Sequence, residues 1–107
     1  MSDDVTPSAA AALLPVEHES GAGHGRFFID LGEGFEAEMT YRKIGRDTIV
    51  IDHTYTPPEF RGRNIAAQLM NRAIAEARTA GLKILPQCSY AVIAFRRHPE
   101  WADLLAQ

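Results

Sequence analysis

The residues between the third predicted strand and the helix after it combine several groups that bind phosphate. A β-branched run, residues 48–56, leads into Pro57-Pro58, and Arg61-Gly62-Arg63 then opens an amphipathic helix. This order brings exposed backbone N–H groups, the positive end of a helix and two arginines into one place. Such a place suits the phosphates of a nucleotide-like cofactor. The sequence therefore predicts an anion-binding site at the start of this helix.

Length and composition limit the kind of protein in which this site can work. The 107 residues can form one domain with one modest core, and no apolar run approaches the length of a membrane span. The net charge of -3 argues against broad nucleic-acid binding, which needs a basic surface. It leaves room for a small anionic cofactor, which needs only local positive charge. We therefore expect no nucleic-acid partner and no membrane partner.

Cysteine and histidine usage argues against two further kinds of site. Cys88 is the single cysteine, so a disulfide within the chain is excluded, which fits a reducing, cytoplasmic compartment. The four histidines are scattered along the chain and form no cluster with zinc spacing. We therefore predict no metal site.

Residues 1–25 are predicted to be a disordered tail, and residues 26–107 the folded domain. An alanine-rich run at residues 9–12 is too short and too acidic in its flanks for a secretory signal. Gly21, Gly23 and Gly25 then mark a flexible joint. The alternative interpretation is a short helix that docks on the domain or on a partner.

Hydrophobic periodicity predicts a β-β-β-α-β-α order in the remaining residues. The predicted strands are residues 26–31, 35–42, 48–56 and 82–87, and the predicted helices are residues 60–80 and 90–97, with a last turn at 101–105. Short connections make the first three strands an antiparallel meander. The crossover helix makes the fourth strand parallel to the third. The predicted fold class is α+β, with a mixed, mostly antiparallel sheet, a splayed parallel pair and flanking helices.

Three sequence segments within this order resemble those of the GCN5-related N-acetyltransferase (GNAT) family. They are "HTYTPPEFRGRNIAAQLM", "KILPQCSY" and "IAFRRHPEWADLL", and together they extend over roughly residues 26–105. The combination is more narrowly similar to a branch of very small, YjdJ-like acetyltransferases. The resemblance implies a GNAT-like fold, acetyl-CoA as the acyl donor and transfer to a primary amine.

The resemblance also implies which residues bind acetyl-CoA. The family pattern for the pyrophosphate falls on Arg61-Gly62-Arg63-Asn64-Ile65-Ala66, where backbone N–H groups converge on the anion. Asn64 departs from the pattern, which has Gly there, but Asn tolerates left-handed backbone better than most residues. The backbone of Thr54, Tyr55 and Thr56 would bond the cofactor's amides between the splayed strands. The side chains of Thr54 and Tyr55 are equally consistent with plain strand packing.

The resemblance leaves the catalytic groups open. Many family members protonate the leaving thiolate from a tyrosine, but the corresponding position here is Phe95, which cannot donate a proton and is expected to pack. Cys88 would lie next to the thioester, as a nucleophile or an acid, or would be an inert core thiol. His53, on the same strand face as Ile49 and Ile51, would serve as a base or orient Cys88, or would be a plain strand histidine.

Further hydroxyls near the expected site are those of Ser89 and Tyr90. Trp101 is expected to pack in the core rather than to contact a ligand. The acceptor cannot be identified from the residues, although an open site would admit a polypeptide amine, and Glu33, Glu36 and Glu38 could attract a cation.

Two other functions compete with N-acetyltransferase activity. One is an acetyl-CoA or CoA-binding module without efficient turnover, and the other is a protein-interaction domain with a degenerate site.

Overall fold

The computed structural model describes residues 13–106, which form one sheet with two α-helices. The strands are β1 (Glu17–Ser20), β2 (His24–Gly32), β3 (Phe35–Ile44), β4 (Thr48–Tyr55) and β5 (Lys83–Pro86), and the helices are α1 (Ile65–Ala80) and α2 (Ser89–Arg97). Short 3-10 helices occupy Pro58–Phe60 and Pro99–Leu104. The strand order is β1-β2-β3-β4-β5, and among these five described strands the β4–β5 pair alone is parallel. The predicted mixed, mostly antiparallel sheet is confirmed.

Alternating side chains explain why the central strands bury one face only. Ala37, Met39 and Tyr41 of β3 are buried, and the residues between them are more exposed. Their direct partners Phe27 and Ile29 on β2 are buried on the same face. This inner face of the sheet carries the hydrophobic core.

Both helices contribute to that single core. The predicted stripe of α1 is confirmed, because Leu69, Ala73 and Ala77 are fully buried in it. Gly81 ends the helix in left-handed conformation, at φ 70°, as its sequence position suggests. From α2, Phe95 packs edge-on against Trp101 with ring centroids 5.5 Å apart. Both residues are therefore structural, as expected.

The N-terminal segment differs from the predicted tail. Residues 1–12 lie outside the described residues, but Glu17–Ser20 form β1 and pair with β2, which itself begins at His24. The segment before β1 is also attached, because the Leu14 amide donates to Gln68 Oε1 at 2.8 Å. All four residues of β1 are exposed, so the strand lacks the hydrophobic alternation that identifies a strand in a sequence. The sheet therefore has one strand more than the sequence predicts.

We expect Gly25→Ala to destabilise the protein, because β1 and β2 approach closely at Gly25. A Cβ at this position would overlap the ring and hydroxyl of Tyr41 and the backbone carbonyl of Glu19. Such overpacking costs about 1–3 kcal/mol, measured as the free energy of urea unfolding. Gly23→Ala is the matched control, because no atom lies within 4 Å of its Cβ position. Equal stabilities of the two variants would mean that β1 does not pack on the sheet.

Candidate functional site

The two parallel strands separate at Ile51, and the candidate site lies where they do so. The last parallel pair is Ile51 with Pro86. Beyond it the amides of Gln87 and Cys88 both donate to the Ile51 carbonyl, at 2.9 and 3.1 Å. On its other side β4 stays paired with β3 as far as Tyr55. The edge of β4 that faces β5 is thus open beyond Ile51, as the predicted splay requires.

The loop that enters α1 has the conformation needed to expose its amides. Gly62 has φ 82° and Asn64, the N-cap of α1, has φ 65°, so Asn64 adopts the left-handed backbone expected of it. Within the described residues no side chain caps the start of α1 at this position. The N–H groups of the first helical turn have no partner inside the helix and stay available to an anion.

A groove of about 420 Å³ lies against this loop. Its walls are Thr56, the loop and first turn of α1, and one face of α2 that carries Tyr90, Ile93 and Arg97. Arg61 and Arg97 supply positive charge, and no carboxylate is among the described residues that line it. The groove is therefore cationic, and the N-terminus of α1 forms part of its wall.

The predicted cofactor residues divide into two groups. The groove brings together Thr56, Arg61, Gly62, Asn64, Ile65 and Ala66. Arg63 lies outside its lining, with the guanidinium 5.2 Å from the Phe60 ring centroid. The Tyr55 side chain is exposed and pairs with Glu38, away from the core face, while Thr54 turns inward. At the open edge of β4, Thr54 and Tyr55 can therefore offer only those backbone groups that do not bond to β3.

Cys88 occupies the N-cap of α2, two residues after β5 ends at Pro86. Its Sγ accepts a hydrogen bond from the Ala91 amide at 3.4 Å and lies 3.3 Å from the Thr54 hydroxyl oxygen. The thiol is half-buried and free. Both contacts can stabilise negative charge on sulfur, and a helix N-terminus is a known activator of cysteine. The expectation that α2 begins next to Cys88 is confirmed.

His53 is not where the sequence places it. In the pairing of β3 with β4, Tyr41 is opposite Ile51 and Thr40 is opposite His53, so Asp52 is an extra residue, a β-bulge. The bulge reverses the alternation, and His53 therefore faces outward and is exposed. The prediction that His53 shares a face with Ile51 is wrong, and its exposed position fits the alternative of a plain strand histidine. Thr54 contacts the thiol instead.

Like Thr56, Tyr90 is a residue with a hydroxyl group that lines the groove. Burial raises its pKa, Arg97 opposes that increase, and the charge of an ionised Cys88 adds to it. Tyr90 therefore keeps its proton at neutral pH and can act as a hydrogen-bond or proton donor.

Sequence reasoning missed the contribution of Ile93 and Arg97 to the groove. Together with Tyr90 they follow the helical spacing i, i+3 and i+7, which was available as a signal that they share one face. It missed that the acidic residues are engaged as well. Glu36 and Glu38 both bond Arg26, which leaves less charge to attract a cation.

The comparison with known families agrees with this geometry. The sequence model of the GCN5-related N-acetyl-transferase family matches residues 26–104. The chain belongs to this family. A solution NMR structure of a protein from Staphylococcus aureus that is described as GCN5-like is similar to this chain, with a TM-score of 0.65 and 29% identity. The match covers 84% of this chain and 87% of that one.

Two further observations limit the kinds of site present. No helix among residues 13–106 is long and apolar enough to cross a membrane. In the same residues, no three His, Cys, Asp or Glu side chains are grouped so that they could hold a metal ion.

The left-handed backbone at Asn64 predicts the result of two substitutions. Asn64→Val should lower the free energy of unfolding by about 1–2 kcal/mol, because a Cβ branch is unfavourable in this conformation. Asn64→Gly should leave stability unchanged or raise it, since glycine adopts the conformation without strain. Urea unfolding monitored by circular dichroism measures both values. A Val variant as stable as the Gly variant would contradict the left-handed assignment.

Proposed function

We propose that this protein is an acetyl-CoA-dependent N-acetyltransferase that moves an acetyl group from the thioester to a primary amine. Membership of the GCN5-related family supports acetyltransferase activity in general. The lining of the groove supports acetyl-CoA as the donor. It brings together two arginines and the free amides of a helix start, and none of the described residues in the lining carries a carboxylate. Its position next to the open edge of β4 adds a route toward Cys88.

The residues present fit the pyrophosphate end of such a cofactor. Arg61 and Arg97 would bond phosphate oxygens, together with the amides of Ile65 and Ala66. The Thr56 hydroxyl oxygen is buried and has no hydrogen-bond partner among the described residues, although Thr56 is part of the groove wall. A buried hydroxyl without a hydrogen-bond partner is unfavourable. A ligand that supplied such a partner to Thr56 would therefore bind more tightly.

The open edge of β4 fits the pantetheine arm. Backbone groups of Thr54, Tyr55 and Thr56 that face away from β3 lack a ladder partner from β5. They would bond the amides of the arm as an added strand does. The arm would then extend from the groove to the point where the strands separate, beside Cys88.

When bound, acetyl-CoA would supply an activated acetyl thioester. Cys88 Sγ would attack the thioester carbonyl, release the CoA thiolate and then pass the acetyl group to the amine, or the thiol would donate its proton to the leaving thiolate. In the first role, the Ala91 amide and the Thr54 hydroxyl would stabilise negative charge on Sγ. Tyr90, which lines the groove, would be a second proton donor, because burial raises the pKa of its phenol and keeps it protonated at neutral pH. His53 has no direct role in this arrangement.

One observation favours a second candidate, a domain that binds acetyl-CoA or CoA without efficient turnover. Phe95, at the position of the usual tyrosine donor, is buried against Trp101 and supplies no proton. The two candidates share the groove and differ in whether Cys88 and Tyr90 react. The acceptor in the first candidate is a primary amine, for which a polypeptide lysine or N-terminus is the proposed source.

Calorimetric titration with acetyl-CoA tests the groove. We expect acetyl-CoA and CoA to bind and ATP to bind more weakly, if at all. Arg61→Ala and Arg97→Ala should each weaken acetyl-CoA binding about tenfold or more, since a charge-assisted bond contributes about 1.5–3 kcal/mol. Arg96→Ala is the matched control, because Arg96 neighbours Arg97 on α2 but lies outside the groove lining. Equal losses at Arg96 and Arg97 would point to a non-specific charge effect and count against the groove.

Removal of the thiol separates transfer from binding. Cys88→Ala should abolish amine-dependent release of CoA, here from acetyl-CoA with a lysine-containing peptide, and should leave the acetyl-CoA Kd within about twofold. Tyr90→Phe should lower the release rate about tenfold or more while keeping binding. Intact-protein mass spectrometry of the parent would show whether one acetyl group is carried on Cys88. Release by the Cys88→Ala variant at the parent rate would remove the thiol from the mechanism, and binding without release in the parent would favour the binding module.

A further inference from the structure

We propose that Arg42, Asp52 and Gln87 are positioning residues for the Cys88 thiol. With Thr40 they form a chain of two hydrogen bonds and one ion pair on the outer face of the sheet, called here the outer brace. The inference rests on the proposed function only in taking Cys88 as the reacting group. It concerns the opposite face of the sheet from the helices and the groove.

The outer brace links three strands or strand ends by side chains alone. The Thr40 hydroxyl donates to Asp52 Oδ1 at 2.6 Å. Arg42 Nε lies 3.4 Å from Asp52 Oδ2, and its Nη2 donates to Gln87 Oε1 at 2.8 Å. The chain therefore runs from β3 to the bulge in β4 and on to the residue that follows β5.

The outer brace acts on both sides of the thiol. At one end Gln87 immediately precedes Cys88, and the amides of both are held by the Ile51 carbonyl. At the other end Asp52 is the bulge residue, and the bulge is what turns Thr54 inward to its 3.3 Å contact with Sγ. Arg42 joins the two ends. From the face of the sheet opposite the helices, the outer brace thus fixes both the segment that carries Cys88 and the position of Thr54, which contacts Sγ.

The extra residue at Asp52 leaves the ladder locally unpaired, so its conformation needs other contacts to hold it. Asp52 is half-buried, with 28% of its side chain exposed, and both carboxylate oxygens are engaged. A charge-assisted bond in partly buried surroundings is stronger than a neutral exposed one. Loss of Arg42 would leave the Gln87 segment attached by backbone bonds only.

The test compares Gln87→Leu with Gln87→Glu in the full chain, without any cofactor. The leucine variant cannot accept from Arg42, whereas the glutamate variant can. We expect the rate of iodoacetamide alkylation to fall about threefold or more in Gln87→Leu, because the thiol moves off the α2 N-terminus, and to recover in Gln87→Glu. Cys88 is the single cysteine, so the rate reports on this thiol alone.

A second readout and a second pair of variants follow the position of the thiol directly. Amide exchange at Cys88 and Ala91 should speed up about threefold or more in Gln87→Leu and Arg42→Met, while that of Leu69 in α1 stays unchanged. Arg46→Met is the matched control, since it removes the same charge from an exposed turn. Acetyl-CoA affinity should stay within about twofold in all of these variants, because none lines the groove.

Alkylation and exchange rates in Gln87→Leu and Arg42→Met that equal those of the parent or of Arg46→Met would overturn the proposal. Faster alkylation would do so as well, because it would mean that the outer brace shields the thiol rather than holding it in contact with α2. These outcomes are independent of the proposed function. If the protein bound no acetyl-CoA, both readouts would still report whether the outer brace positions Cys88.

Discussion

The separation of two parallel strands at the Ile51 carbonyl is the constraint on which the rest of the site depends. One acceptor receives two successive amides, from Gln87 and Cys88, and the ladder cannot continue past it. Because the strands then diverge, β4 keeps an open edge, and the chain after β5 turns at once into α2. The open edge, the thiol at a helix start and the groove between the start of α1 and one face of α2 all follow from this one termination.

The sequence predicted those elements whose boundaries depend on local chemistry. Alternation in β3, the stripe on α1, the left-handed stop at Gly81 and the parallel direction of β5 were all readable, because each is set by neighbours along the chain. The polar strand β1 could not be predicted in this way. Its four exposed residues carry no periodic signal, and it is a strand because β2 offers it an edge.

The β-bulge at Asp52 shows how one extra residue that the sequence does not reveal changes which side chains reach a site. A regular strand would turn His53 toward Ile51 and the core, which is how its alternation was interpreted. One extra residue shifts the phase, so Thr54 takes the inner position and His53 the outer one. Nothing local marks the bulge, because it is held by Thr40 and Arg42 of the neighbouring strand. Long-range contacts therefore decided which side chain meets the thiol.

The geometry of α2 bears on whether Phe95 signals a lost activity. At about 100° per residue, Phe95 lies about 140° around the helix from Tyr90, so the two cannot share a face. Phe95 is on the core side with Trp101, and Tyr90 is on the groove side with Arg97. A tyrosine at position 95 would enter the core, where its hydroxyl would need a new partner. Phe95 leaves the usual donor position without a proton donor, as a domain that only binds would, whereas Tyr90 lines the groove and would supply a donor from the other face of α2.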